Sequence, residues 1–259
     1  MTDRGDSGLG TGAWPASPQS PGPSPELRGA DLLLDLQRRF VTTVTPIRVR
    51  DAELEVVRPR SAEELISEAD FDRDERLPYW AEVWPSSHVL AARLAAEDGR
   101  ARTLLELGCG VGVVALAAMR AGFDVTVTDY YEDALRFTRA NAWRVLGREP
   151  RARLVDWRLL PDDLGVYDVV AAADVLYERP YAGLVARIIA RTLAPAGEAL
   201  VADPGRLAAA EFPAQCAAHG LRVYATEEHP YEAGEIRQRI SVYALRHSVA
   251  PAGRAASER

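Results

Sequence analysis

The chain has 259 residues, enough to bury one substantial core, and its 47% hydrophobic and 27% charged residues are the proportions of a soluble globular protein. A formal net charge of −7 argues against a broad phosphate-binding surface, so no nucleic-acid interface is expected. No apolar run reaches the roughly 20 residues of a membrane helix and no basic segment leads into a signal-peptide core, so neither a membrane nor export is expected and the cytoplasm is the expected location.

Residues 1–27 are rich in Gly, Ser and Pro and read as a disordered tail, because they supply no periodic apolar face. Leu32, Leu33 and Leu36 predict a short amphipathic helix over 31–40, and β-branched alternation over 41–57 around Asp51 predicts a hairpin. Ser61-x-x-Glu64 has the form of a capping box opening another short helix. Ser86 or Ser87 is expected to cap a helix carrying Val89, Leu90 and Leu94. Residues 28–85 thus form an extension and 86–247 the main domain, with 248–259 a flexible tail.

From there strand and helix alternate, with strands expected near 103–107, 124–128, 153–156, 168–173 and 197–202. That order implies a doubly wound α/β fold, a mostly parallel sheet with helices on both faces. Two β-rich runs, 221–227 and 236–245, flank a turn at Gly234 and should close one edge as an antiparallel pair.

The first of these strands runs into Leu104-Leu-Glu-Leu-Gly-Cys-Gly-Val-Gly112. Dinucleotide enzymes carry G-x-G-x-x-G, which would require glycine at position 113, where this chain has Val113. Here Gly108, Gly110 and Gly112 alternate around Cys109 and follow an acid, Glu106. Asp129 ends the next strand, where a carboxylate suits the two hydroxyls of a ribose. Cys109 and Cys216 are too few for a disulfide framework or zinc cluster, and the four histidines are scattered, so no metal is expected.

Ligands of open α/β sheets sit beyond the carboxyl ends of the strands, so residues there should surround one crevice. They are the glycine turn, Asp129, Asp156 with Trp157, Asp174 to Tyr177, and Asp203 to Arg206. Asp156 could accept from an adenine amino group and Trp157 could cover the base, while Ala173 leaves room for an adenosine. Ahead of them, Pro78-Tyr-Trp-Ala-Glu-Val-Trp-Pro85 clusters three aromatics, of which Trp80 suits a packed lid and Trp84 a flank of the ligand.

E-x-G-x-G-x-G followed by a strand-end acid resembles the class I, seven-strand methyltransferases that bind S-adenosylmethionine. With P-Y-W-A-x-x-W-P, L-V-D-W, A-D-V-L-Y and D-P-G-R in order, residues 41–246 resemble the protein lysine methyltransferases that include the electron-transfer-flavoprotein β-subunit enzyme and chaperone-directed relatives. The resemblance implies a seven-stranded sheet, S-adenosylmethionine as cofactor and a protein presenting lysine as partner. It implies that Asp174 and Tyr177 of D-V-L-Y lie by the target amine. It also puts Trp84, Glu106, Gly108, Cys109, Gly110, Gly112, Asp129, Asp156, Trp157 and Ala173 around the cofactor.

Departures leave the substrate open, since Ser86 and Ser87 stand where the flavoprotein-directed branch often has glycines. A small-molecule N- or O-methyltransferase would share the cofactor half, and a non-catalytic module could retain cofactor binding. A DNA amino-methyltransferase is disfavoured because its D-P-P-Y prolines are replaced by Val175 and Leu176.

Overall fold

The computed structural model describes residues 27–65 and 78–248. Of the tails expected at 1–27 and 248–259, residues 1–26 and 249–259 lie outside the described residues, whereas Leu27 packs against the core and the Ser248 N–H donates to the Gly220 carbonyl at 2.8 Å. Helix α1, Gly29–Arg39, leads into a hairpin of β1, Thr42–Val49, and β2, Ala52–Pro59, paired antiparallel from Thr42↔Pro59 to Val49↔Ala52. After Ser61 a 3-10 turn, Glu63–Leu65, is described, and the residues into which the expected helix would continue lie outside the described residues. The Ser61 hydroxyl accepts from the N–H of Glu63 at 3.1 Å, which shapes the start of this turn.

Helix α2, Pro85–Leu94, begins earlier than the serines suggested. Pro85 occupies the first helical position, where its fixed φ and missing N–H cost nothing, and the cap residue Trp84 makes no side-chain cap bond. Ser86 and Ser87 therefore sit inside the first turn. The Ser87 hydroxyl bonds back to the Trp84 carbonyl at 2.6 Å, and Ser86 is buried.

The main sheet has seven strands in the order β5-β4-β3-β6-β7-β9-β8. Its parallel part comprises β3 (Thr103–Leu107), β4 (Asp124–Asp129), β5 (Arg151–Leu154), β6 (Tyr167–Ala173) and β7 (Leu193–Asp203). Between them run α3 (Val113–Arg120), α4 (Glu132–Leu146) and α5 (Arg179–Thr192). After α6, Phe212–Ala218, the long pair β8 (Leu221–Ala233) and β9 (Ile236–His247) closes the edge, with β9 antiparallel to β7.

Period-two alternation explains the two-sided core. Leu104 and Val169 point to the face that holds α1 to α4 and the hairpin, whereas Leu105, Leu107 and Val170 point to the face of α5 and α6. Strand β5 lies two residues earlier than expected. The Val155 N–H makes the last bond to β4, to the Asp129 carbonyl at 2.9 Å, and Asp156 then turns the chain by accepting the Arg158 N–H. No described helix is long and apolar enough to cross a membrane.

Candidate active site

At the carboxyl ends of β3 and β4 the glycine turn is bound to the neighbouring strand. Gly108 and Cys109 donate to the Thr128 carbonyl at 2.9 and 3.0 Å. Gly110 donates to Asp129 Oδ2 at 3.0 Å, and Tyr131 donates to Oδ1 at 3.0 Å. Gly110 has φ +53°, and a Cβ there would lie 3.0 Å from the Trp80 carbonyl oxygen, so only glycine lets the aromatic segment close over the turn. Thr138 locks the turn from α4 by donating to the Gly110 carbonyl at 2.9 Å.

A cavity of about 520 Å³, within the range of small-ligand sites, opens over this turn. Its lining includes Trp84, Glu106, Asp129, Trp157, Asp174 and Tyr177. Burial pushes Asp129 up to about 6, against the pull of the N–H groups that bond it. Burial, reinforced by Asp129, raises Glu106 well above the usual carboxylate range. Burial also raises the Cys109 thiol well above its ordinary value, so it is no nucleophile at neutral pH.

Aromatic rings make one wall. Tyr177 stands edge-on to Tyr79 at 5.4 Å and to Tyr181 at 4.9 Å, and Trp84 stands edge-on to Tyr79 at 5.9 Å while donating its Nε1–H to the Tyr79 carbonyl at 2.9 Å. Burial holds the Tyr177 hydroxyl far above the usual phenol range, so it acts as a neutral donor. Trp80 turns the other way, packing on Phe40, Phe137 and Tyr131.

Asp174 follows β6 in the left-handed region, φ +59°, which Asp tolerates better than most side chains. Its N–H donates to the Ala202 carbonyl at 2.9 Å. Its carboxylate accepts from the Ser86 hydroxyl at 2.9 Å and from Arg206 Nε at 2.6 Å.

Every residue expected at the cofactor or the amine lines this one cavity. Two expectations change. Asp156 lines it, but Arg158 fills its oxygens through the backbone N–H, Nε and Nη2, so the carboxylate shapes the loop more than it offers a free acceptor. Asp203 to Arg206 do not line it. Asp203 is buried and folds back onto the N–H groups of Gly205 and Arg206 at 2.7 Å each, and only the Arg206 side chain reaches toward the crevice. The sequence leaves unread the site roles of Tyr79, Tyr181 and Ser86, none of which follows a strand end, and of Tyr131, which follows β4 by two residues but stands behind the more conspicuous Asp129.

The donor set suits the expected S-adenosylmethionine. Glu106 Oε2 and Trp157 Nε1 are buried without a hydrogen-bond partner among the described residues, so both leave polar capacity for a ligand. The carboxyl groups of Glu106 and Asp129 in one cavity suit a ligand bearing hydroxyl and amino groups. Among the described residues no group of His, Cys, Asp and Glu could hold a metal ion.

The family described as Methyltransferase domain matches residues 85–246. The chain is 30% identical to the EEF1A lysine methyltransferase 3 of Mus musculus over 193 residues, covering 69% of this chain and 77% of that protein. It is 27% identical over 132 residues to the electron transfer flavoprotein beta subunit lysine methyltransferase of Danio rerio, covering 50% of this chain and 51% of that protein, so it spans about half of that relative. The magnesium protoporphyrin IX methyltransferase of Synechocystis PCC 6803 with bound SAM matches at a TM-score of 0.52 and 20% identity, covering 71% of this chain and 94% of that one. That last likeness is one of fold.

Proposed function

The chain belongs to the methyltransferase domain family, and we propose that it transfers methyl groups from S-adenosylmethionine to lysine side chains of a protein. S-adenosylmethionine is its cofactor, in keeping with the family and with a cavity built from a glycine turn and a strand-end acid. One observation carries the acceptor reading. The buried Asp174 carboxylate opens onto the same cavity as the glycine turn, beside the rings of Trp84 and Tyr177. Two relatives named as lysine methyltransferases support it.

When bound, S-adenosylmethionine supplies a methyl carbon on a sulfonium sulfur, so that forming the C–N bond leaves the C–S pair on sulfur and passes the positive charge to nitrogen. The residues of the chain supply placement. Asp129 would accept the ribose hydroxyls, the Trp157 ring would cover the base beside Ala173, and Glu106 with the backbone of Gly108, Cys109 and Gly110 would face the amino-acid part. Trp84 would flank it from the lid side, and Gly112 leads into α3.

Toward the acceptor, the Asp174 oxygens accept an N–H of the amine and aim its lone pair into the cavity, while the Tyr177 ring face walls the alkyl chain. An aliphatic amine is mostly protonated at neutral pH, so it must lose one proton to solvent before attack. Holding the neutral amine at contact distance from the methyl carbon is the main contribution such a site makes. No side chain need form a covalent bond.

Labelled S-adenosylmethionine incubated with the protein and a lysate of its own host tests this reading. Label in the macromolecular fraction is the expected result, and label confined to small metabolites would replace it with the small-molecule reading. The chain has no lysine, so a band from self-methylation on lysine cannot arise.

A further inference from the structure

The Asp174 carboxylate is gripped on both sides by residues from distant parts of the chain. Ser86, in the first turn of α2, donates to Oδ2 at 2.9 Å, and Arg206, in the loop after β7, donates through Nε to Oδ1 at 2.6 Å. We propose that Arg206 is a positioning residue of the transfer site: with Ser86 it fixes the Asp174 carboxylate and compensates its charge, so that the acceptor amine binds without its extra proton. The inference rests on the amine-transfer reading above and deepens it.

Arg206 is itself built in. Asp203, buried at the end of β7, accepts the N–H groups of Gly205 and Arg206 at 2.7 Å each, which sets the loop, and Gly205 takes φ +90° to complete the turn. The guanidinium carbon lies 5.0 Å from the Trp84 ring centroid, so the cation is held between an aromatic face and a carboxylate. Arginine keeps its charge at any working pH, which makes it a fixed counter-charge.

Of the arginines lining the cavity, Arg158 is held by Asp156 and Arg187 donates to the Trp157 carbonyl, whereas Arg206, from beyond that lining, reaches Asp174. On the aromatic segment, Tyr79 and Trp84 present their rings to one another and Glu82 pairs with Arg58. On α2, burial lowers His88, which packs on Tyr231. Across the cavity stand Glu106 and Asp129, and at the end of β7 stands Asp203, all three raised by burial. Beyond Asp174 itself, burial keeps Tyr177 neutral, and Glu178 with Arg179, which pairs with Glu211, leads away into α5.

The chemistry follows from charge. A lysine ammonium beside a lone buried carboxylate forms an ion pair that strengthens its hold on the proton and ties up the lone pair needed for attack. With Arg206 in place the carboxylate and guanidinium are neutral as a unit, and an ammonium entering an aromatic-walled cavity meets desolvation without net attraction. The proton is then lost to solvent, and Asp174 still offers a lone pair to orient the amine N–H.

The test compares initial rates of label transfer to host protein lysine, from about pH 6.5 to about pH 9.5, for wild type, Arg206→Gln and Arg206→Lys, with S-adenosylmethionine affinity measured on each by calorimetry. Arg206→Gln should lose about tenfold or more at neutral pH and move the alkaline rise upward by about one pH unit, so that its deficit shrinks at high pH. Arg206→Lys keeps the charge without the planar fork, so its rise should stay at the wild-type position with kcat alone reduced. Cofactor affinity should change by less than about twofold in both.

Ser86→Ala, which leaves the charge pair in place, should likewise lower kcat without moving the rise. An Arg206→Gln deficit constant across pH, an unchanged rate, or the same displacement in Arg206→Lys would each overturn the inference while leaving the amine reading standing. Loss of cofactor binding in both Arg206 variants would overturn it too, because Arg206 would then serve the cofactor half or the fold. Wild type that labels no lysine would overturn both readings together.

Discussion

The side-chain amide of Asn141 holds both backbone groups of Val57. Its Oδ1 accepts the Val57 N–H at 2.8 Å, and its Nδ2 donates to the Val57 carbonyl at 2.8 Å and to the Val111 carbonyl at 2.9 Å. One buried residue of α4, the only asparagine in the sequence, thus stands in for a further strand at the edge of the hairpin and ties it to the glycine turn. The small N-terminal sheet is thereby joined to the cofactor site.

Asn141→Leu should therefore cost about 2–4 kcal/mol of stability, because it leaves buried N–H and C=O groups of Val57 without partners. It should also weaken cofactor binding through Val111. Urea unfolding read alongside a cofactor titration checks both, and a change in midpoint too small to measure would show that the hairpin docks without the amide.

Gly110→Ala should retain the fold and lose cofactor affinity by about tenfold or more, since the left-handed conformation costs about 1–2 kcal/mol for an L side chain. Its methyl must also push the Trp80 carbonyl away from 3.0 Å. Calorimetric titration gives the affinity, and binding equal to wild type would mean that the aromatic segment does not close on the turn.

Asp129 carries a pH signature of opposite sign to the usual carboxylate. Its pKa rises from 3.8 to about 6 on folding, so between those values the native state without cofactor holds a proton that the unfolded chain has released. Stability from this group is present below about pH 4 and is lost as pH rises through about 6, by up to about 3 kcal/mol. Asp129→Asn, which cannot ionise, should gain stability relative to wild type as pH goes from 4 to 7, yet bind cofactor more weakly. Denaturant midpoints at the two pH values decide it, and an equal difference at both would remove the buried charge from the account.

Asp174→Asn suits the left-handed backbone at φ +59° and keeps the side-chain shape. It should leave cofactor affinity within about twofold and slow transfer by about a hundredfold, the scale of a lost orienting group. Equal losses in affinity and rate would move Asp174 into the cofactor half of the site.

What the sequence disclosed and what it hid follow from physical range. The apolar runs at Leu104–Leu105 and Val169–Val170 carry the period of buried strands, and Gly108 to Gly112 with Asp129 announce a ligand turn within twenty-odd residues. The sequence sets β5 two residues late because Arg151 and Arg153 interrupt any apolar pattern. The serines of α2 read as caps because Ser is a far commoner cap than Trp, although Pro85 beside them is itself a local start signal. Ser86 meets Asp174 across 88 residues and Arg206 meets it across 32, and no periodicity records such a meeting.

The atom that receives the methyl group defines the reaction. Acid hydrolysis of host protein labelled by the wild-type chain, followed by chromatography of the amino acids, reads the acceptor atom directly. The label should co-elute with Nε-methylated lysines and fall sharply with Asp174→Asn. Label on another amino acid, or label in lysine untouched by that substitution, would contradict the claim that this cavity presents a lysine amine to S-adenosylmethionine.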